Sequence, residues 1–121
     1  MIKGTLIAES LRVGATLAGV RLEVRAVRRF AVGEVPPYQP PVWTVLEFDA
    51  QESDAAVLAA TFADVLDGPG WYVNFSSARD TFVVYPGRVF CYPRGDVAGR
   101  AEAQAHGRVC GVPEPQLDWS E

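Results

Sequence analysis

The sequence predicts an α+β fold. It reads as an antiparallel sheet of five to six strands with two helices on one face, arranged as a ferredoxin-like βαββα unit that an N-terminal β-hairpin precedes. Three observations predict it. Runs with period-two alternation stand beside runs with a single helical apolar stripe. Glycines, prolines and capping residues punctuate these runs at their ends. Hydrophobic residues make up 49% of the chain and charged residues 21%, the balance of a chain that folds on a core. A length of 121 residues points to one domain. Its parts are an N-terminal hairpin (1–32), a Pro-rich loop (33–41), the βαββα unit (42–111) and an irregular tail (112–121).

Residues 2–12 read as the first strand, stopped by Val13-Gly14-Ala15. In residues 20–26, Val20, Leu22, Val24 and Ala26 face one way while Arg21, Glu23 and Arg25 face the other, which is the pattern of a half-buried antiparallel strand. These two segments are expected to pair as a hairpin. Residues 33–41, GEVPPYQPP, hold four prolines and so lack the donors of a central strand; they form a stiff loop. VWTVLEF, 42–48, is apolar on both faces, as an inner strand is.

A helix follows, with Ser53 or Asp54 as cap, an apolar stripe of Val57, Leu58, Thr61, Phe62, Val65 and Leu66, and Gly68-Pro69 beyond its end. WYVNF, 71–75, and TFVVY, 81–85, are strands joined by a turn. Pro86-Gly87 has the order of a type II turn, whose twist opposes that of a hairpin, so a bend inside one long strand 81–92 is favoured over a hairpin. Asp96 caps a second helix that runs from Val97 to Cys110. Its expected inner face is Val97, Ala101, Ala105 and Val109, and Gly111 and Pro113 end it. In the tail, Leu117 and Trp119 are the residues able to pin it to the body.

Composition also bears on function. The net charge is −4, split between a basic first 35 residues and an acidic remainder. An acidic chain is poorly suited to phosphate backbones, which basic residues must neutralise, and no RNA-binding aromatic motif is present; nucleic acid is not expected. No apolar run approaches the roughly 20 residues of a membrane span, so no membrane partner is expected either. The N-terminus lacks the pattern of a signal peptide, and Cys91 and Cys110 read as reduced thiols; both imply the cytoplasm.

No catalytic or metal-binding set emerges, and no cofactor is implied. His106 is the single histidine, and a Cys91–His106 dyad would need strand and helix to meet. Arg94-Gly95 precedes a helix N-terminus, where an anion could sit, but Asp96 already offers a carboxylate there. The notable feature is the aromatic load on both faces of the sheet. Trp43, Asn74, Tyr85, Arg88, Tyr92 and Arg94 are the candidate binding residues. They suit a protein or small-molecule partner, or a second copy in a homodimer. The alternatives are a small ferredoxin-like enzyme, with a cleft between the sheet and the Pro-rich loop, and an acidic immunity-type partner protein.

The run WYVNFSS…DTFVVYPGRVFCYPRGD…GVPEPQLDW resembles a group of short bacterial hypothetical proteins that carry no assigned activity, a likeness that extends from WTVLEF to QLDW. The resemblance implies a small, free-standing bacterial protein and transfers no site residue.

Overall fold

The computed structural model describes all of residues 1–121. Its strands are β1 (Ile2–Ile7), β2 (Glu23–Ala31), β3 (Val42–Ala50), β4 (Val73–Ser76), β5 (Asp80–Tyr85) and β6 (Arg88–Pro93). The helices are α1 (Ala55–Val65) and α2 (Val97–Val109). The strands form one open sheet in the order β2-β3-β1-β4-β5-β6, every neighbour antiparallel. The fold is α+β, and no helix is long and apolar enough to cross a membrane.

The expected N-terminal hairpin does not form. β1 pairs with β3 on one side and β4 on the other, while β2 pairs only with β3. The hairpin is instead β2–β3, with the Pro-rich loop as its connection and a Val32 N–H to Pro41 carbonyl bond at 2.9 Å at its base. The reason lies in residues 11–22. They do not make a tight turn but lay Leu11, Ala15, Leu17, Val20 and Leu22 against the core beside α1. The ferredoxin-like order gives way for the same reason. β3 and β4 run parallel on either side of β1, so the N-terminal strand fills the gap that a later strand fills in a split βαβ unit.

The helices lie on opposite faces, not on one. Registers place Phe48, Ile2, Leu6, Val73, Phe75, Phe82 and Val84 on a first face, and α1 covers them with Leu58, Ala59, Phe62 and Val65. Val83, Tyr85 and Tyr92 point to the second face, and α2 covers them with Ala103, helped by Val112, Leu117 and Trp119 of the tail. Strands β5 and β6 carry bulky residues on both sides, so each side needs its own lid. Of the stripe expected on α1, Val57 is 57% exposed and the remaining apolar members are buried.

The inner face of α2 is also corrected. Val97 and Val109 are 81% and 84% exposed, and the helix rests on Gly99, Ala103 and Gly107, spaced four apart. A Cβ at Gly99 would stand 2.5 Å from that of Tyr92, and one at Gly107 would stand 2.6 Å from the Tyr85 hydroxyl. The absence of side chains here lets the helix sit directly on two tyrosines. Asp96 caps α2 as expected, accepting from the Ala98 N–H at 3.1 Å. Residues 81–92 form a hairpin, not a bent strand. Tyr85 pairs with Arg88, Gly87 takes φ +71°, and its N–H donates to Ala63 of α1 at 2.9 Å. Six paired rows and this anchor outweigh the mismatch of turn twist.

Candidate functional site

α2 and the tail cover only the β4-β5-β6 half of the second face. Over β1, β3 and β4 that face is open and concave. A cavity of about 500 Å³ has Thr5 and Ile7 of β1, Trp43 of β3 and Asn74 of β4 as its floor. Residues 32–35, at the start of the Pro-rich loop, form one wall. Trp71 and Tyr72 approach from the segment leading into β4, and Gln116, Asp118, Trp119 and Ser120 close it from the tail. The volume lies inside the range of roughly 300–1,000 Å³ usual for small-ligand sites.

Each wall is held by hydrogen bonds, most of them between residues far apart in the chain. The Trp43 indole donates to the Pro40 carbonyl at 2.9 Å, and its ring meets Trp71 edge to face at 5.4 Å. Tyr38 donates to the Gly111 carbonyl, which fixes the Pro-rich loop to the end of α2. Gln39, buried within that loop, donates to the Gly70 carbonyl at 3.1 Å and exchanges amide bonds with Gln116 at 2.8 and 3.0 Å. Gly70 takes φ +90°, and a Cβ there would strike the Tyr38 ring at 2.7 Å. Tyr72 donates to the Gln116 carbonyl. Its ring stands edge to face with Trp119 at 5.3 Å. Burial pushes the Tyr72 hydroxyl pKa up and the nearby Asp118 carboxylate adds to this, against a smaller opposite pull from Arg100.

The tail is clamped at several points. Gln104 donates to the Leu117 carbonyl at 3.1 Å, Arg100 to the Trp119 carbonyl at 2.9 Å, and the Trp119 indole to the Tyr92 hydroxyl at 2.8 Å. The Arg100 guanidinium also lies over the Trp119 ring, 4.9 Å from its centroid. Glu121 then accepts from the Gly95 N–H at 2.8 Å, Arg100 at 2.8 Å and the Tyr92 hydroxyl at 3.0 Å. Burial acts to raise the pKa of this carboxyl, but the three donors hold it below the usual carboxylate range. The anion position that the sequence suggests beside Arg94-Gly95 is therefore filled by the chain's own carboxylate.

Thr5, Asn74 and Ser120 also line a second hollow of about 390 Å³, so the two adjoin. Lys3, Arg25 and Arg94 bring positive charge there, partly matched by Glu47 and Glu121. Arg25 is paired with Asp49 at 2.7 Å.

Of the six candidate residues, Trp43 and Asn74 meet at the cavity, and Asn74 and Arg94 meet at the second hollow. Tyr85 and Tyr92 are buried under α2, where Tyr85 donates to the Ala103 carbonyl at 2.7 Å. Arg88 lies at the opposite end of β6 from Arg94, over the Phe90 ring. Sequence reasoning did not assign Thr5, Gln116, Asp118 or Trp119 to a site. The alternation in 116–119, with Leu117 and Trp119 buried between exposed or half-buried polar neighbours, is the signal that marks the tail as an extended wall.

Cys91 lies on the first face, away from α2, so no Cys91–His106 pair forms. His106 instead lies 3.2 Å from the Cys110 sulfur and packs against Tyr85 and Phe90. Burial raises the Cys110 thiol pKa, which keeps it from acting as a ready thiolate. Set against protein-family profiles, curated proteins and solved structures, the chain matches none.

Proposed function

We propose that this protein is a non-enzymatic, small-ligand-binding module whose site is the aromatic cavity on the second sheet face. One observation carries the reading: all three tryptophans of the chain, Trp43, Trp71 and Trp119, line this single cavity, although they come from three separate segments. A sequence that needed tryptophan only as core filler would place it against the two buried clusters. Trp71 belongs to neither cluster and Trp43 remains half-exposed, while Trp119 belongs to the cluster under α2 and lines the cavity as well. Around the rings stand the polar groups of Thr5, Asn74 and Gln116, the few convergent contacts that orient a ligand in an otherwise apolar site.

The test is a fragment screen read by the three indole N–H signals in nuclear magnetic resonance spectra. Bound fragments should shift the Trp43 and Trp71 signals together, and Trp43→Ala should abolish the response while the amide signals of β5 and α1 stay in place. If a chemically diverse library leaves all three indoles unmoved, the cavity is not a ligand site.

Pairing between two copies is a second reading, favoured by β2. This edge strand of nine residues is exposed along almost its whole length, including Val24, Val27 and Phe30. Joining two such edges would satisfy the free backbone groups and cover these side chains. Sedimentation equilibrium should then show a dimer that Val27→Glu dissolves; a monomer at high micromolar concentration would rule the pairing out. The free thiols of Cys91 and Cys110 agree with a reducing, cytoplasmic setting.

A further inference from the structure

The charges around the cavity are of one sign. Glu34 and Asp118 stand at its rim, both exposed, and no lysine, arginine or histidine lines it. Of the positive side chains on this side of the sheet, Lys3, Arg25 and Arg94 line the neighbouring hollow instead. An anionic ligand would meet carboxylates at the entrance and no counter-charge within. A purely apolar ligand would fill the volume but draw nothing from the two acids. An organic cation uses both features, because the faces of tryptophan and tyrosine rings carry negative potential and attract a desolvated cation.

The chain already shows this chemistry on the outer side of the cavity wall. The Arg100 guanidinium lies on the Trp119 ring, so that ring is polarised by a cation from behind. No cation lies over the rings of Trp43, Trp71 or Tyr72, although the charge of Arg100 also reaches the Tyr72 hydroxyl.

Resting on the ligand-binding reading above, we propose that the cavity binds a small organic cation with an alkylated ammonium head, seated against Trp43, Trp71 and Tyr72 and drawn in by Asp118 and Glu34. Alkyl groups make the head weakly hydrated and fit it to aromatic walls, whereas a bare ammonium holds its water too strongly. Thr5 and Asn74, which line both hollows, lie where a polar substituent of the ligand would leave the cavity.

Tryptophan emission reports binding directly, since every tryptophan of the chain faces this cavity. Choline is titrated beside its uncharged isostere, in which a quaternary carbon replaces the nitrogen. Saturable binding of choline, with the isostere about tenfold weaker, is expected from the cation–ring attraction. The double variant Glu34→Gln/Asp118→Asn should bring the two ligands close to parity, and far-ultraviolet circular dichroism checks that it folds. Equal affinity of the native chain for both ligands would overturn the cation while leaving the cavity a ligand site, as would fragments that bind when choline does not. Silence towards choline, isostere and fragments alike would remove both readings. A peptide bearing trimethyl-lysine separates the two sources of such a head group: tighter binding than choline would assign it to a protein side chain and overturn the small-molecule source.

Discussion

Gly4 shows how much one residue decides. It sits in the middle of a central strand, where a glycine ordinarily costs about 0.5–1 kcal/mol against alanine. Here the missing side chain is what the first face needs. A Cβ on Gly4 would lie 2.5 Å from the tip of Phe48 and 2.7 Å from the Cβ of Phe75, and both rings pack onto Phe62 of α1. The Phe48 tip could swing aside, but the Phe75 Cβ is fixed to its strand. Gly4→Ala should therefore destabilise the fold by about 1–3 kcal/mol through overpacking. The denaturation midpoint should fall with an unchanged slope; an unaltered midpoint would mean that β1 and β4 have room to part. No periodicity argument could have found this, because a glycine is silent in a hydrophobic pattern.

At the scale of elements, what the sequence made legible was the presence of the strands and helices, and what it concealed was their partners. The run of β3 and the cap of α2 were readable because each depends on neighbours in the chain; the alternation in residues 20–26 marked a strand that in fact spans residues 23–31, and Asp54 precedes α1 without a side-chain cap bond. The pairing of β1 was not, since nothing local distinguishes a strand that returns to its neighbour from one that inserts between β3 and β4. The inner face of α2 misled for a different reason. Apolar side chains usually mark the buried side of a helix, yet here Val97 and Val109 face outward while glycine and alanine face in. The bulk is supplied by Tyr85 and Tyr92 from the sheet, so the sign of the pattern is reversed. Of the residues that line the cavity, Trp43 and Asn74 were among the candidates read from the strands. Asp118 and Trp119 were not, because they follow a single 3-10 turn and lie in no strand or helix that would give them a direction.

Across the whole molecule, the tail joins parts that the chain order separates. It bonds to the Pro-rich loop through Gln116, to α2 through Arg100 and Gln104, and to the end of β6 through Tyr92 and Gly95. Glu121 is the outermost of these ties, and its pH dependence has a definite sign. Its native carboxyl lies below the ordinary value of 4.5, so its stabilisation is complete above about that pH and is lost as the pH falls through the native value. Glu121→Gln should cost about 1–3 kcal/mol at neutral pH, the range for hydrogen bonds to a charged group and for donors left unpaired. The two proteins should converge in stability under acid conditions. A difference that persists unchanged into acid would show that the carboxylate charge contributes nothing.

Pro115, Gln116, Asp118, Trp119 and Ser120 wall the cavity, and Trp119 at the same time joins Leu117 in the core under α2. Occupancy of the cavity and order in the tail are therefore a single thermodynamic account. Any molecule that settles against Trp119 also holds the tail against α2, and would raise the unfolding temperature with its concentration by mass action. The relation runs both ways: each moment in which the tail peels from α2 is a moment in which the cavity lacks a wall, so the affinity of the proposed ligand site is capped by how seldom residues 115–120 come loose.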